Sequence, residues 1–102
     1  MKKLPTKFRK EGFDHVVLQR QGDVVLIHKT KPEMYDGYEV AIVQSHNGYR
    51  FGNEFFPPAE FMPRNEDWGS KGFTCRDIES ANARFAKLVK QQTAPKKIQL
   101  KK

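Results

Sequence analysis

Glu66–Gln92, EDWGSKGFTCRDIESANARFAKLVKQQ, is the stretch whose reading decides the fold. It holds a turn with the single Trp, a short strand at Gly72 to Cys75, and an amphipathic helix. Asp77 is a suitable N-cap, because its carboxylate can accept hydrogen bonds from the unpaired amides of a first helical turn and sits at the positive end of the helix dipole. The helix is therefore expected to start at Ile78. From there Ile78, Ala81, Phe85, Leu88 and Val89 recur at three- and four-residue steps, while Glu79, Arg84, Lys87 and Lys90 fall on the other side. That is one buried stripe, suited to covering a sheet. Pro95 cannot continue a helix and restricts the residue before it, so the end is expected near Gln92 to Thr93.

The remaining residues supply the sheet. A chain of 102 residues makes one domain with a modest core. Asp14 to Arg20 and Val24 to Thr30 flank Gln21, Gly22 and Asp23, and two β-branched runs around a Gly-containing turn predict a hairpin. Alternation puts Val16, Leu18, Val25 and Ile27 on one face and His15, Val17, Val24, Leu26 and His28 on the other. Both faces are apolar, so both need cover. Lys31 to Gly37 predicts a connection with a tight turn at Asp36-Gly37. Tyr38 to His46, Asn47-Gly48 and Tyr49 to Phe51 predict a second hairpin with a type I′ turn at Asn-Gly, the pair that best tolerates two successive positive φ values.

Gly52 to Asp67 contains Pro57, Pro58 and Pro63, which exclude a regular helix and a central strand, so a long loop is expected. Phe55, Phe56, Phe61 and Met62 argue against disorder there. They can fold back as the sheet's second cover, or protrude as an apolar lip rimmed by Glu54, Glu60, Glu66 and Asp67. The two readings are compatible if part of the loop packs and part protrudes.

The net charge is +7, and its location matters more than its size. Residues 1–11 carry Lys2, Lys3, Lys7, Arg9 and Lys10 against Glu11, or +4; residues 95–102 carry Lys96, Lys97, Lys101 and Lys102, another +4; residues 12–94 sum to −1. The expected organisation is a basic N-terminal arm (1–11), a single α+β domain (12–94) and a basic C-terminal tail (95–102). Such ends either attract phosphates or keep a small domain soluble. MKKLPTKFRK lacks the apolar run of a signal peptide, and the longest aliphatic runs, Val24 to Ile27 and Val40 to Val43, are too short to span a bilayer. A cytoplasmic protein without a membrane partner is expected. The lone Cys75 forms no internal disulfide, which fits a reducing compartment.

Catalytic and metal motifs are missing. Cys75 beside Arg76 at a helix start has two features that favour a thiolate, but nothing in the sequence brings His15, His28 or His46 to it, and a small residue closing a strand is the simpler account. If the first hairpin turns on Gln21-Gly22, His15 faces His28; if it turns on Gly22-Asp23, His28 faces Val17. Two imidazoles lack the ligand number and spacing of a zinc site. Gly69, Lys71 and Gly72 lack the spacing of a phosphate-binding loop. No catalytic residue, metal or cofactor is assigned, and a non-enzymatic protein is expected.

Cations beside aromatics support nucleic-acid binding, since bases stack while phosphates are neutralised. Tyr49, Arg50, Phe51, Trp68, Lys71 and Phe73 can build such a surface, although Phe51 and Phe73 fit better as the apolar face under the helix. Trp68-Gly69-Ser70-Lys71-Gly72, followed by a strand and a helix with Ala81, Phe85 and Leu88 inward, resembles the end of a WGR domain. That resemblance implies a sheet-plus-helix module that binds DNA through its Trp-Gly-Arg turn, with Ser70 standing here where that family has Arg.

The expected fold is therefore α+β, an antiparallel meander of four to five strands with one C-terminal helix on one face. The expected function is a nucleic-acid-binding accessory protein, for DNA or RNA, contacting it through Lys2, Lys3, Lys7, Arg9, Lys10, Arg50, Trp68, Lys71, Lys96 and Lys97. The alternative is a modulator of a larger protein complex, docking through Phe55, Phe56, Phe61 and Met62. Exposed strand edges are also compatible with a homodimer.

Overall fold

The computed structural model describes residues 1–93. A five-stranded antiparallel sheet has the order β1-β2-β3-β4-β9, formed by Lys7–Lys10, Phe13–Gln21, Val24–Lys31, Tyr35–Ile42 and Gly72–Cys75. Between β4 and β9 the chain makes four short strands: β5 (Gln44–His46), β6 (Tyr49–Phe51), β7 (Glu54–Phe56) and β8 (Ala59–Phe61). A 3-10 turn at Asn65–Asp67 precedes β9, and α1 spans Ile78–Thr93. No described helix is long and apolar enough to cross a membrane.

The helix forms where local chemistry dictates. The Asp77 carboxylate accepts the Ser80 amide at 2.7 Å, the N-cap bond its position predicts. Ala81, Phe85 and Leu88 are buried against Val24, Leu26, Val40 and Cys75 of the sheet, with Phe73 packed beside them. Ile78, expected in the stripe, is instead exposed, at 39%.

The opposite face buries Val25, Ile27, Ala41 and Val43 under Leu4, Phe8, Val17 and Met62. Its cover thus comes mainly from the N-terminal segment, and only Met62 from the stretch expected to supply it. The first eleven residues are built into the fold: Lys7–Lys10 form edge strand β1, and Lys2 makes a parallel bridge to Ala59. β1 and β2 are joined through Glu11 (φ 56°) and Gly12 (φ 85°), the two positive values of a type I′ turn.

Three local expectations are corrected. First, β2 and β3 turn on Gly22-Asp23, but a bulge at Leu18 shifts the register, so Val17 pairs with Ile27, Val16 with His28 and His15 with Lys29. Val17 and His15 therefore lie on the Ile27 face. Second, Asp36 and Gly37 lie inside β4; the turn is at Pro32–Met34, where the Met34 amide bonds to Lys31 O at 2.9 Å. Tyr35 lies across Gly37, so that a Cβ at residue 37 would come within 2.5 Å of its hydroxyl.

Third, Asn47-Gly48 is not the tip of a hairpin. Gln44–His46 pairs with Ala59–Phe61, and Tyr49–Phe51 with Glu54–Phe56, in one continuous register that turns at Gly52-Asn53. Asn47-Gly48 and Pro57-Pro58 face each other where the ladder is interrupted. Two prolines, which have no N–H to donate, sit where none is required. Gly48 keeps a positive φ of 101°, and a Cβ there would press on Phe55 and Pro58, both at 3.3 Å. The stretch expected as a loop is thus the returning arm of a two-stranded ribbon.

Candidate functional site

The ribbon gathers aromatic and basic side chains in two rows, since residues paired across strands share a face. On one face Tyr49 stacks on Phe56 at 5.0 Å, His46 meets Tyr49 at 4.9 Å and Phe61 at 5.8 Å, and the Arg64 guanidinium lies 5.6 Å from the Phe61 ring. Phe51 continues this row to the tip. On the other face Arg50 lies 5.9 Å from the Phe55 ring. Phe51 is 77% exposed, Phe55 55% and Tyr49 50%, and β6 and β7 make their substantial contacts only with each other.

Glu60 fixes the ribbon's base. Its carboxylate accepts two bonds from the Arg20 guanidinium at 2.9 Å and the Leu4 amide at 2.8 Å, with the Lys3 ammonium 3.8 Å away. Arg20, with help from the Leu4 amide, lowers the Glu60 pKa to about 2. Its charge is consumed inside the fold.

A second polar constellation lies on the sheet face opposite the helix. Glu39 and His15 are buried to 6% and 5% exposure. Lys29 donates to Glu39 Oε2 at 2.9 Å, and His15 Nε2 stands 4.0 Å from Oε1. His15 stacks on Phe8 at 4.7 Å, and Lys29 lies 4.6 Å from the Phe13 ring. Phe8, His15, Lys29 and Glu39 line a cleft of about 200 Å³ together with Asn65 and Trp68. The Trp68 ring occupies the space a Cβ on Gly72 would fill, 2.3 Å away, and its indole N–H donates to Thr74 Oγ1 at 2.9 Å.

The structure brings together only part of each predicted set. Lys2, Lys3 and Arg50 join Phe55, Phe56 and Phe61 on the ribbon or at its base. Lys7 and Arg9 lie on edge strand β1, where Arg9 is paired with Asp14 at 3.0 Å; Lys10 lines the cleft. Trp68 belongs to the cleft, Lys71 is exposed just before β9, and Met62 packs in the second core. Lys96 and Lys97 lie outside the described residues. Phe51 is at the ribbon tip, away from the helix, whereas Phe73 is under it as expected. Burial raises the Cys75 thiol pKa, the opposite of activation. The described residues contain no group of three or more metal-ligating side chains.

Sequence reasoning does not single out Glu39 or Lys29. Their one signal is a lone acid inside the apolar run Tyr38 to Val43. No protein-family model, curated protein or solved structure matches this chain.

Proposed function

We propose that this is a non-enzymatic nucleic-acid-binding accessory protein that engages a single strand with the β5–β8 ribbon. The observation that carries the reading is the exposure of Tyr49 and Phe51 on one face of the ribbon and of Phe55, beside Arg50, on the other. Bases stack on exposed rings for about 1–3 kcal/mol each, whatever their identity, while cations neutralise the phosphates. Arg50, Arg64 and Lys2 supply the cations, and the lysines of 95–102 add more. Of the ribbon's two acids, Glu60 is already matched by Arg20, which leaves Glu54. A second reading uses the same tip to dock on a larger protein. It is favoured by the near-neutral tip, where Arg50 is offset by Glu54.

Fluorescence anisotropy with labelled oligo(dT) tests the proposal. We expect a log–log salt slope of about −0.7 per contacted phosphate. Phe51→Ala and Phe55→Ala should each weaken binding about 5- to 100-fold. Arg50→Gln should reduce the slope by about 0.7. Absence of binding at low salt, or affinity indifferent to Phe51 and Phe55, overturns it. Capture from the source cell with and without nuclease separates the two readings, because partners that survive nuclease and depend on Phe51 identify a protein dock.

A further inference from the structure

We propose that the cleft between the Trp68 turn and the His15–Lys29–Glu39 row is a binding site for a small ligand carrying a primary amine. The inference is independent of the ribbon. Phe13 O can only accept, so the His15 Nδ1 that lies 3.1 Å from it carries the hydrogen, and in neutral imidazole Nε2 is left as an acceptor. Burial, the largest influence, lowers the His15 pKa despite the nearby Glu39 carboxylate, so the ring is neutral at pH 7. Two acceptors, His15 Nε2 and Glu39 Oε1, therefore stand 4.0 Å apart on the cleft wall.

A donor atom roughly 2.9 Å from both would see them at an angle of about 90°, within reach of two hydrogens on one nitrogen. A ligand hydroxyl has one hydrogen and satisfies one acceptor; an amine satisfies both. Lys29 already occupies Glu39 Oε2, which orients the carboxylate and leaves Oε1 for the ligand. The charged groups at the cleft, Lys10 and Lys29 against Glu11 and Glu39, sum to zero, so an ammonium meets no net positive field. A volume of about 200 Å³ is below the roughly 300–1,000 Å³ of drug-sized sites and suits an amine of amino-acid size.

The single Trp of the chain lines this cleft and reports on it directly. Ethylammonium chloride, with ethanol and sodium acetate as matched probes, is titrated into the full chain while Trp68 fluorescence and the His15 ring shifts are followed. We expect saturable changes with ethylammonium at about millimolar affinity, and none with the other two. Glu39→Gln should weaken ethylammonium binding about tenfold. His15→Phe, which keeps the stack on Phe8, should do the same, and Arg50→Gln on the ribbon should leave it unchanged. Equal responses to ethanol or acetate, or no saturable response to ethylammonium by about 100 mM, overturn the proposal. The wild-type comparison of the three probes decides the matter even if a variant fails to fold.

Discussion

Replacing Glu60 by Gln should loosen the ribbon from the sheet and do so in a pH-dependent way. Glu60 holds together three parts of the chain: β8 through its own backbone, β2 through Arg20, and the N-terminal segment through the Leu4 amide. Its pKa falls from an ordinary 4.5 to about 2. At about 1.4 kcal/mol per unit this is an upper limit of about 3 kcal/mol, and screening around the quarter-exposed Arg20 trims it to about 2 kcal/mol. Between the two pKa values the unfolded chain binds a proton that the native chain does not, so stability rises with pH through that window. The contribution is complete above about pH 4.5 and is lost as pH falls towards about 2.

Urea unfolding of wild type and Glu60→Gln should therefore differ by about 2 kcal/mol at neutral pH, equivalent to roughly 8–16 °C in Tm, and converge in acid. Amide exchange supplies a local readout. Leu4 N–H, which donates to Glu60 Oε1, should lose protection in the variant even under conditions where exchange is local, whereas the helix amides should lose no more than the global drop in stability. A wild-type-to-variant gap that stays constant from neutral pH to acid would refute the reasoning, because the charge of Glu60 would then not be what holds the ribbon.

Three further outcomes are expected. Glu11→Asn should raise stability by about 1 kcal/mol in thermal melts, since residue 11 has φ 56° in a type I′ turn that favours Asn before Gly. Gly72→Ala should displace the Trp68 ring, now 2.3 Å from the site of the new Cβ, costing about 1–3 kcal/mol and changing Trp emission as the bond to Thr74 breaks. Finally, burial lowers the His15 pKa against the opposing pull of Glu39 and beside the cations Lys29 and Lys10. Stability should then be complete above about pH 6.5 and fall with pH below it, and His15→Phe should abolish that portion of the slope in denaturant titrations.

What could be read from the sequence follows the distance over which each signal acts. The Asp77 cap and the Ala81–Phe85–Leu88 stripe depend on neighbours within a turn or two, and both appear where residue spacing puts them. Asn47-Gly48 is also a genuine local signal, because Gly48 does adopt a positive φ. It loses as a hairpin turn because the longer pairing, 44–46 with 59–61, joins strands that a turn there would leave apart, and places Pro57-Pro58 at the break. Residue type alone marks Arg50 and Phe55 as candidates. It does not mark the cleft, since Lys29 and Glu39 become neighbours of His15 only through cross-strand register.

That register turns on one residue. Without the bulge at Leu18, the Gly22-Asp23 turn would set Leu18 opposite Ile27 and Val16 opposite Lys29. With it, Val17 and His15 take those places. The extra residue acts on both halves of the sheet face at once. It puts Val17 into the cluster covered by Leu4, Phe8 and Met62, and it swings an imidazole in beside the Glu39 carboxylate. A slip of one position would exchange the faces of Val16 and His15 and turn the cleft wall apolar. Lys29 would still neutralise Glu39, so the sheet would keep its ion pair but lose the second acceptor that distinguishes a binding wall from an ordinary buried salt bridge. Core and cleft are therefore specified together, by a bulge that no single-strand alternation reveals.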